Sequence, residues 1–152
     1  MLRERFNRSR PRLVGAAALA AAAAVTAAYA AAPAAAAPVR CQGEQATVVG
    51  TRHDDTFVGT DRRDVIVARG GTDLIKAGRG DDLVCAGRGD DRVLGGRGDD
   101  ALYGYRGDDR MRGGRGEDIV FAGKGDDVIT GGKGFDTCDG GSGLDVERGC
   151  ES

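Results

Sequence analysis

Tryptophan is absent from this 152-residue chain, histidine occurs once, and aromatic residues make up only 5% of it. His53 is the sole imidazole and the cysteines are scattered at Cys41, Cys85, Cys138 and Cys150. Neighbours in sequence therefore supply neither a compact zinc set nor a Cys–His nucleophile. The shortage of aromatics leaves no stacking platform for single-stranded nucleic acid. Helical periodicity of 3.6 is missing, and a helix could not tolerate 27 glycines packed at this density.

What is present is periodic. Asp returns every nine residues at Asp55, Asp64, Asp73, Asp82, Asp91, Asp100, Asp109, Asp118, Asp127, Asp136 and Asp145. With Gly50 as position one, the unit reads G/A-G-x-G-D-D-x-U-x, where U is apolar. Clear copies run Gly95–Tyr103 and Gly113–Phe121. Position one is Gly or Ala throughout; position four is Gly from Gly71 to Gly143 and fails only at His53 and Arg62. Position eight is apolar from Phe57 through Met111 to Cys138, and then becomes Glu147. A short phased repeat with one apolar position per unit predicts a solenoid whose coils depend on their neighbours.

Residue types assign the parts of the unit. Positions one to six read as turn, because glycine reaches backbone angles other residues avoid and Asp accepts hydrogen bonds from nearby amides. Positions seven to nine leave room for a three-residue strand, with position eight inward and Lys76, Arg112 and Thr130 at position nine outward. Two units make one coil, and stacked coils build two parallel sheets around a thin core. One core column would be Phe57, Ile75, Val93, Met111 and Ile129; the facing one Ile66, Val84, Leu102, Val120 and Cys138. Read in chain order, the position-nine residues show no regular aromatic or Thr row that would mark a binding face.

This pattern resembles the hemolysin-type calcium-binding repeat of RTX proteins, Gly-Gly-x-Gly-x-Asp-x-U-x, over residues 50–148. The resemblance implies an all-β, right-handed, two-sheet parallel β-roll of eleven repeats, with several calcium ions held between stacked turns by Asp carboxylates and carbonyls. Carried over by residue, the best-matched ligands are Asp73, Asp82, Asp91, Asp100, Asp109, Asp118, Asp127 and Asp136. Asp64 and Asp145 match near the ends, and Asp55 matches more weakly. Thr51, His53, Thr60 and Arg62 replace expected glycines, so the first two copies look like a cap. Calcium suits such an oxygen donor set because it takes six to eight ligands in irregular geometry, whereas magnesium demands a tight octahedron. An EF-hand is excluded by the nine-residue spacing.

Charge and the chain ends complete the expectations. Residues 41–152 hold 16 Lys or Arg against 23 Asp or Glu, a formal −7. The second acid of each unit, Asp81 to Asp126, is expected to face solvent. Cations at position three, Arg79 to Lys133, should partly offset carboxylate repulsion, and adjacent acids should largely cancel their attraction for nucleic acid. Crowded carboxylates predict folding coupled to calcium. Residues 1–37, with Arg3 to Arg12 before an Ala-rich run and with Ala28-Tyr29-Ala30 and Ala35-Ala36-Ala37, read as a secretory signal peptide. An exported chain favours disulfides, expected as Cys41–Cys85 and Cys138–Cys150. The segments are then leader (1–37), N-terminal cap (38–49), β-roll (50–148) and tail (149–152). The expected product is a secreted, monomeric, non-catalytic structural calcium-binding protein without nucleic-acid or stable membrane partners. The alternative is an extracellular adhesion or glycan-binding module stabilised by calcium.

Overall fold

The computed structural model describes residues 37–151, so the expected leader lies, apart from Ala37, outside the described residues. Every regular element among them is a strand. β1 (Arg40–Cys41) and β2 (Glu44–Gln45) form an antiparallel hairpin. Three short strands follow: β3 (Val48–Val49), β4 (Thr56–Val58) and β5 (Val65–Val67). Then come β6 (Leu74–Arg79), β7 (Leu83–Arg88), β8 (Arg92–Arg97), β9 (Ala101–Arg106) and β10 (Arg110–Arg115). The series closes with β11 (Ile119–Lys124), β12 (Val128–Lys133), β13 (Thr137–Ser142) and β14 (Val146–Arg148). Odd-numbered strands from β3 to β13 build one six-stranded parallel sheet and even-numbered strands from β4 to β14 build the other. Each strand pairs with the one a full coil away, as in Ile75↔Val93 and Val84↔Leu102. The architecture is the expected parallel β-roll, with two nonapeptides per coil.

The strands are longer than the sequence suggested. β6 to β13 each span six residues, running through positions one to three of the next unit. Those glycines looked like turn formers because their backbone angles are unusual. Stacking removes the conflict: Gly96 at φ +127° sits above Gly78 at φ +119° and beside Gly114 at φ +132°, so equivalent residues share one geometry and keep the ladder bonded. A Cβ on Gly96 would run into the Gly78 carbonyl. The actual turns shrink to positions four to six.

Position eight points inward as expected. Ile66, Ile75, Val84, Val93, Leu102, Val120 and Ile129 are fully buried, with Met111 beside them. Position one also points inward, two residues further along the same strand, and adds Ala68, Ala77, Ala86 and Ala122. Burying one aliphatic side chain contributes about 1.5–3 kcal/mol, so a coil with two such residues needs its neighbours above and below. The core thins at the ends, where Phe57 and Cys138 are half-buried and Glu147 is exposed.

The two outer faces differ in chemistry. On the odd sheet, Val65, Val67, Leu83 and Cys85 are buried beneath the N-terminal segment, against Cys41, Val39 and Ala46. Beyond that cover, Tyr103 and Phe121 stack with ring centroids 5.5 Å apart. The even sheet instead exposes Lys76, Arg92, Arg110 and Arg112. Taken every eighteen residues, position nine is apolar along most of the odd sheet (Val67, Cys85, Tyr103, Phe121) and alternates apolar with polar or basic on the even one (Val58, Lys76, Leu94, Arg112, Thr130), whose further cations Arg92 and Arg110 come from position seven.

Both disulfides have the expected pairing. Cys41–Cys85 joins the hairpin to β7 with Cα atoms 5.7 Å apart, and Cys138–Cys150 closes the last coil at 5.8 Å.

Candidate metal centre

Each ladder Asp stands at the last turn position, where its side chain folds back under the coil. Asp109 shows the arrangement. Its Oδ1 accepts the Asp91 amide of the preceding coil at 2.8 Å, while its own amide donates to Asp127 Oδ1 at 2.7 Å. Its carbonyl accepts the Val128 amide at 2.9 Å. Nine such carboxylate–amide bonds run from Asp55–Asp73 to Asp127–Asp145, all between 2.7 and 3.0 Å. The structure thus brings all eleven predicted aspartates into two columns along the turns.

The second oxygen divides the columns into classes. In Asp73, Asp82, Asp91, Asp100, Asp109, Asp118, Asp127 and Asp136, Oδ2 is buried and has no hydrogen-bond partner. These residues are at most 2% exposed. A buried carboxylate oxygen without a partner carries a desolvation penalty of about 1–3 kcal/mol or more, and eight in register call for a cation. At the N-terminal end the oxygen is already satisfied. Asp55 Oδ2 accepts the Thr51 amide and hydroxyl at 2.8 and 2.9 Å, and Asp64 Oδ2 accepts the same groups of Thr60 at 2.7 and 2.9 Å. The threonines that replace position-two glycines thus partner the oxygen that stays unpartnered in the later coils. Asp145, at the other end, is half-buried, and its Oδ1 serves Asp127.

The surroundings of Oδ2 are oxygen-rich. A methyl group on Gly104 would collide with Asp109 Oδ2 and approach the Ala122 carbonyl to 2.6 Å, so oxygens from two coils flank one small space. On Gly131 it would meet Asp136 Oδ2 at 2.7 Å and the Gly149 carbonyl of the closing segment. Among the described residues, no three His, Cys, Asp or Glu side chains gather around a single point. The donors available are single carboxylates from successive coils and backbone carbonyls, a hard set that fits calcium and offers zinc neither nitrogen nor sulfur.

Burial governs the electrostatics of the ladder. Desolvation pushes the Asp82 and Asp91 carboxyls up to about 6, and those of Asp100 and Asp109 up to about 7. The amide hydrogen bond opposes that rise, and neighbouring aspartates add to it. Asp73, Asp118 and Asp127 are raised for the same first reason. Half-buried Asp55 is lowered instead, by the Thr51 amide and then its hydroxyl. The central carboxylates are the hardest to charge without a counter-ion.

The RTX calcium-binding nonapeptide repeat (4 copies) model matches residues 49–84, 86–120 and 113–147. The chain belongs to the RTX calcium-binding nonapeptide repeat family. No curated protein and no solved structure matches it significantly. Membership in the RTX family and the β-roll fold together support a structural, calcium-binding role.

Two features of this RTX roll escaped sequence reasoning. Position-five acids are exposed, as expected, but they also form a second ladder of opposite direction. Asp81 Oδ1 accepts the Asp99 amide, Asp99 the Glu117 amide, and Asp108 the Asp126 amide, at 2.8–3.0 Å. The adjacent acids Asp-Asp at positions five and six were visible as a pair, yet only stacking shows that one serves the coil above and the other the coil below. The second feature is the C-terminal closure. Glu151 Oε2 accepts the Asp136 amide at 2.7 Å, the part that a ladder Asp plays for earlier coils. Glu147 likewise accepts the Gly140 amide at 2.8 Å.

Proposed function

We propose that the protein is a secreted β-roll whose folding is coupled to calcium and whose role is structural rather than catalytic. The eight buried, unpartnered Asp Oδ2 atoms, four in each column, carry this reading. Asp73, Asp82, Asp91, Asp100, Asp109, Asp118, Asp127 and Asp136 supply the principal calcium ligands, with carbonyls of adjacent coils completing the shell. Asp64 and Asp145 contribute at the ends, where Thr60 and solvent compete for their oxygens. Export rests on the leader pattern of residues 1–37, and the two disulfides accord with an oxidising environment.

Coupling follows from the same atoms. Metal-free, each fold-competent coil must hold carboxylates that burial makes costly to ionise, within a chain of formal charge −7 over residues 41–152. Calcium supplies the missing partner in the folded state, and its binding free energy becomes folding free energy. Circular dichroism of the oxidised mature chain, titrated with calcium and then EDTA, tests the reading. Sheet signal is expected to grow with calcium and to fall after chelation. Unchanged signal after rigorous chelation would refute the coupling, and absence of calcium uptake in calorimetry would refute the binding.

A further inference from the structure

The even sheet carries an unused charge pattern. Arg79, Arg97, Arg115 and Lys133 are register neighbours at the ends of β6, β8, β10 and β12. Strand neighbours lie roughly 4.8 Å apart, so four exposed cations form one column along the roll. Beside that column runs a shallow groove of about 850 Å³, walled by Arg79, Arg97, Arg112 and Arg115. Gly78, Gly96 and Gly114 form its floor, and Val58 and Leu94 give it apolar contacts. Only one acid lines it, Asp61, which sits 3.5 Å from Arg79.

The position-five acids temper the field of this column but form no close ion pair with Arg97 or Arg115. Their Oδ1 atoms are turned to the amides of the next coil. Among the described residues, Arg97, Arg112 and Arg115 have no carboxylate within 4.0 Å. Like charges held on adjacent strands repel; the odd sheet has the matching column Arg88, Arg106 and Lys124, but where the even sheet adds Arg92, Arg110 and Arg112 it carries Ala101, Tyr103, Ile119 and Phe121. Unpaired guanidinium groups on a flat wall are suited to bidentate capture of carboxylate or sulfate groups.

We propose that the even sheet binds a linear acidic polysaccharide, one bearing a carboxylate or sulfate on successive sugars. An open, glycine-floored groove lets sugar rings lie against the backbone while their anions meet successive arginines. Nucleic acid fits less well, because base stacking needs aromatics and the stacked Tyr103–Phe121 pair lies on the opposite sheet. The site depends on the stacked coils and not on which residues hold calcium.

The test uses the oxidised mature chain in calcium-containing buffer, with sheet signal checked by circular dichroism. A short oligouronate, a neutral oligoglucan and oligothymidylate are each titrated by calorimetry. The oligouronate should bind with an affinity that falls steeply as salt rises, and the oligoglucan should not bind. Arg97→Glu with Arg115→Glu should weaken oligouronate binding by on the order of tenfold or more, whereas Arg106→Glu with Lys124→Glu on the odd sheet should leave it unchanged. If the first pair loses its sheet signal, the single neutral change Arg112→Gln should still reduce affinity several-fold. The proposal is overturned by a folded wild-type chain that ignores the oligouronate, by equal affinity in the folded charge-reversed variant, or by equal loss in both charge-reversal pairs. Tighter binding of oligothymidylate would assign the groove to nucleic acid instead.

Discussion

Asp109→Asn separates the two jobs of a ladder carboxylate. The side chain is fully buried; Oδ1 holds the Asp91 amide and Oδ2 has no partner. Asn keeps an acceptor for Asp91 and places an NH₂ donor where calcium would need an oxygen. Its effect should change sign with the metal. Burial raises the Asp109 carboxyl from 3.8 to about 7, and each unit corresponds to about 1.4 kcal/mol. Keeping that group ionised at neutral pH therefore destabilises the metal-free roll by at most about 4 kcal/mol, and relaxation and water entry reduce the figure. Removing the charge should make the chain in EDTA more ordered than wild type. With calcium present, loss of one ligand should move the folding midpoint to higher calcium. Asp109→Ala provides the contrast, since it removes the charge but also leaves the buried Asp91 amide unpaired, at about 1–3 kcal/mol, and should be less ordered than Asp109→Asn in EDTA and destabilised in calcium. Paired calcium titrations followed by circular dichroism measure all three chains. An unchanged calcium midpoint in Asp109→Asn, or less structure than wild type in EDTA, refutes the assignment.

Acidity should act as a partial substitute for calcium. Asp82, Asp91, Asp100 and Asp109 have folded-state pKa values above their ordinary 3.8, so proton uptake favours the folded state. That contribution is complete below about 3.8 and is lost as pH rises through 6 to 7; in EDTA, lowering pH from neutral towards 5 should increase sheet signal, while calcium affinity should fall over the same window. Replacing Cys41 and Cys85 together by Ser should lower stability by about 4 kcal/mol on the chain-entropy estimate for a loop of this length, read as a drop in midpoint temperature in calcium. Hydrogen exchange near Cys85 should accelerate as the hairpin lifts from Val65, Val67 and Leu83. Glu151→Ala should remove the acceptor of the Asp136 amide, weaken the roll by about 1 kcal/mol, and raise exchange in β13 and β14 while leaving β7 unaffected.

Much of the fold was readable because a solenoid is local and repetitive. The apolar residue two places after each Asp identified the core, and the Asp period identified the turns. The strand lengths were misjudged because glycine propensity describes an isolated chain, whereas Gly78, Gly96 and Gly114 extend the ladder by sharing their geometry with equivalent residues in adjacent coils. The eight aspartates that best match the repeat are the eight whose Oδ2 atoms are buried without a partner. The substitutes at the ends were partly hidden: Thr51 and Thr60 stood in glycine positions and attracted notice, but Glu151 breaks the period and carried no signal.

The nine-residue period by itself determined a coil of two units, an inward aliphatic column and a carboxylate returned to each turn. Those properties depend on residues close in sequence and identical in environment. Only the tertiary structure decided which oxygen of each Asp is engaged, which coil each acid serves, and that Arg79, Arg97 and Arg115 share one face while Tyr103 and Phe121 share the other. Each of these depends on what lies eighteen residues away across a strand pair, a distance at which a nonapeptide motif does not distinguish odd copies from even ones.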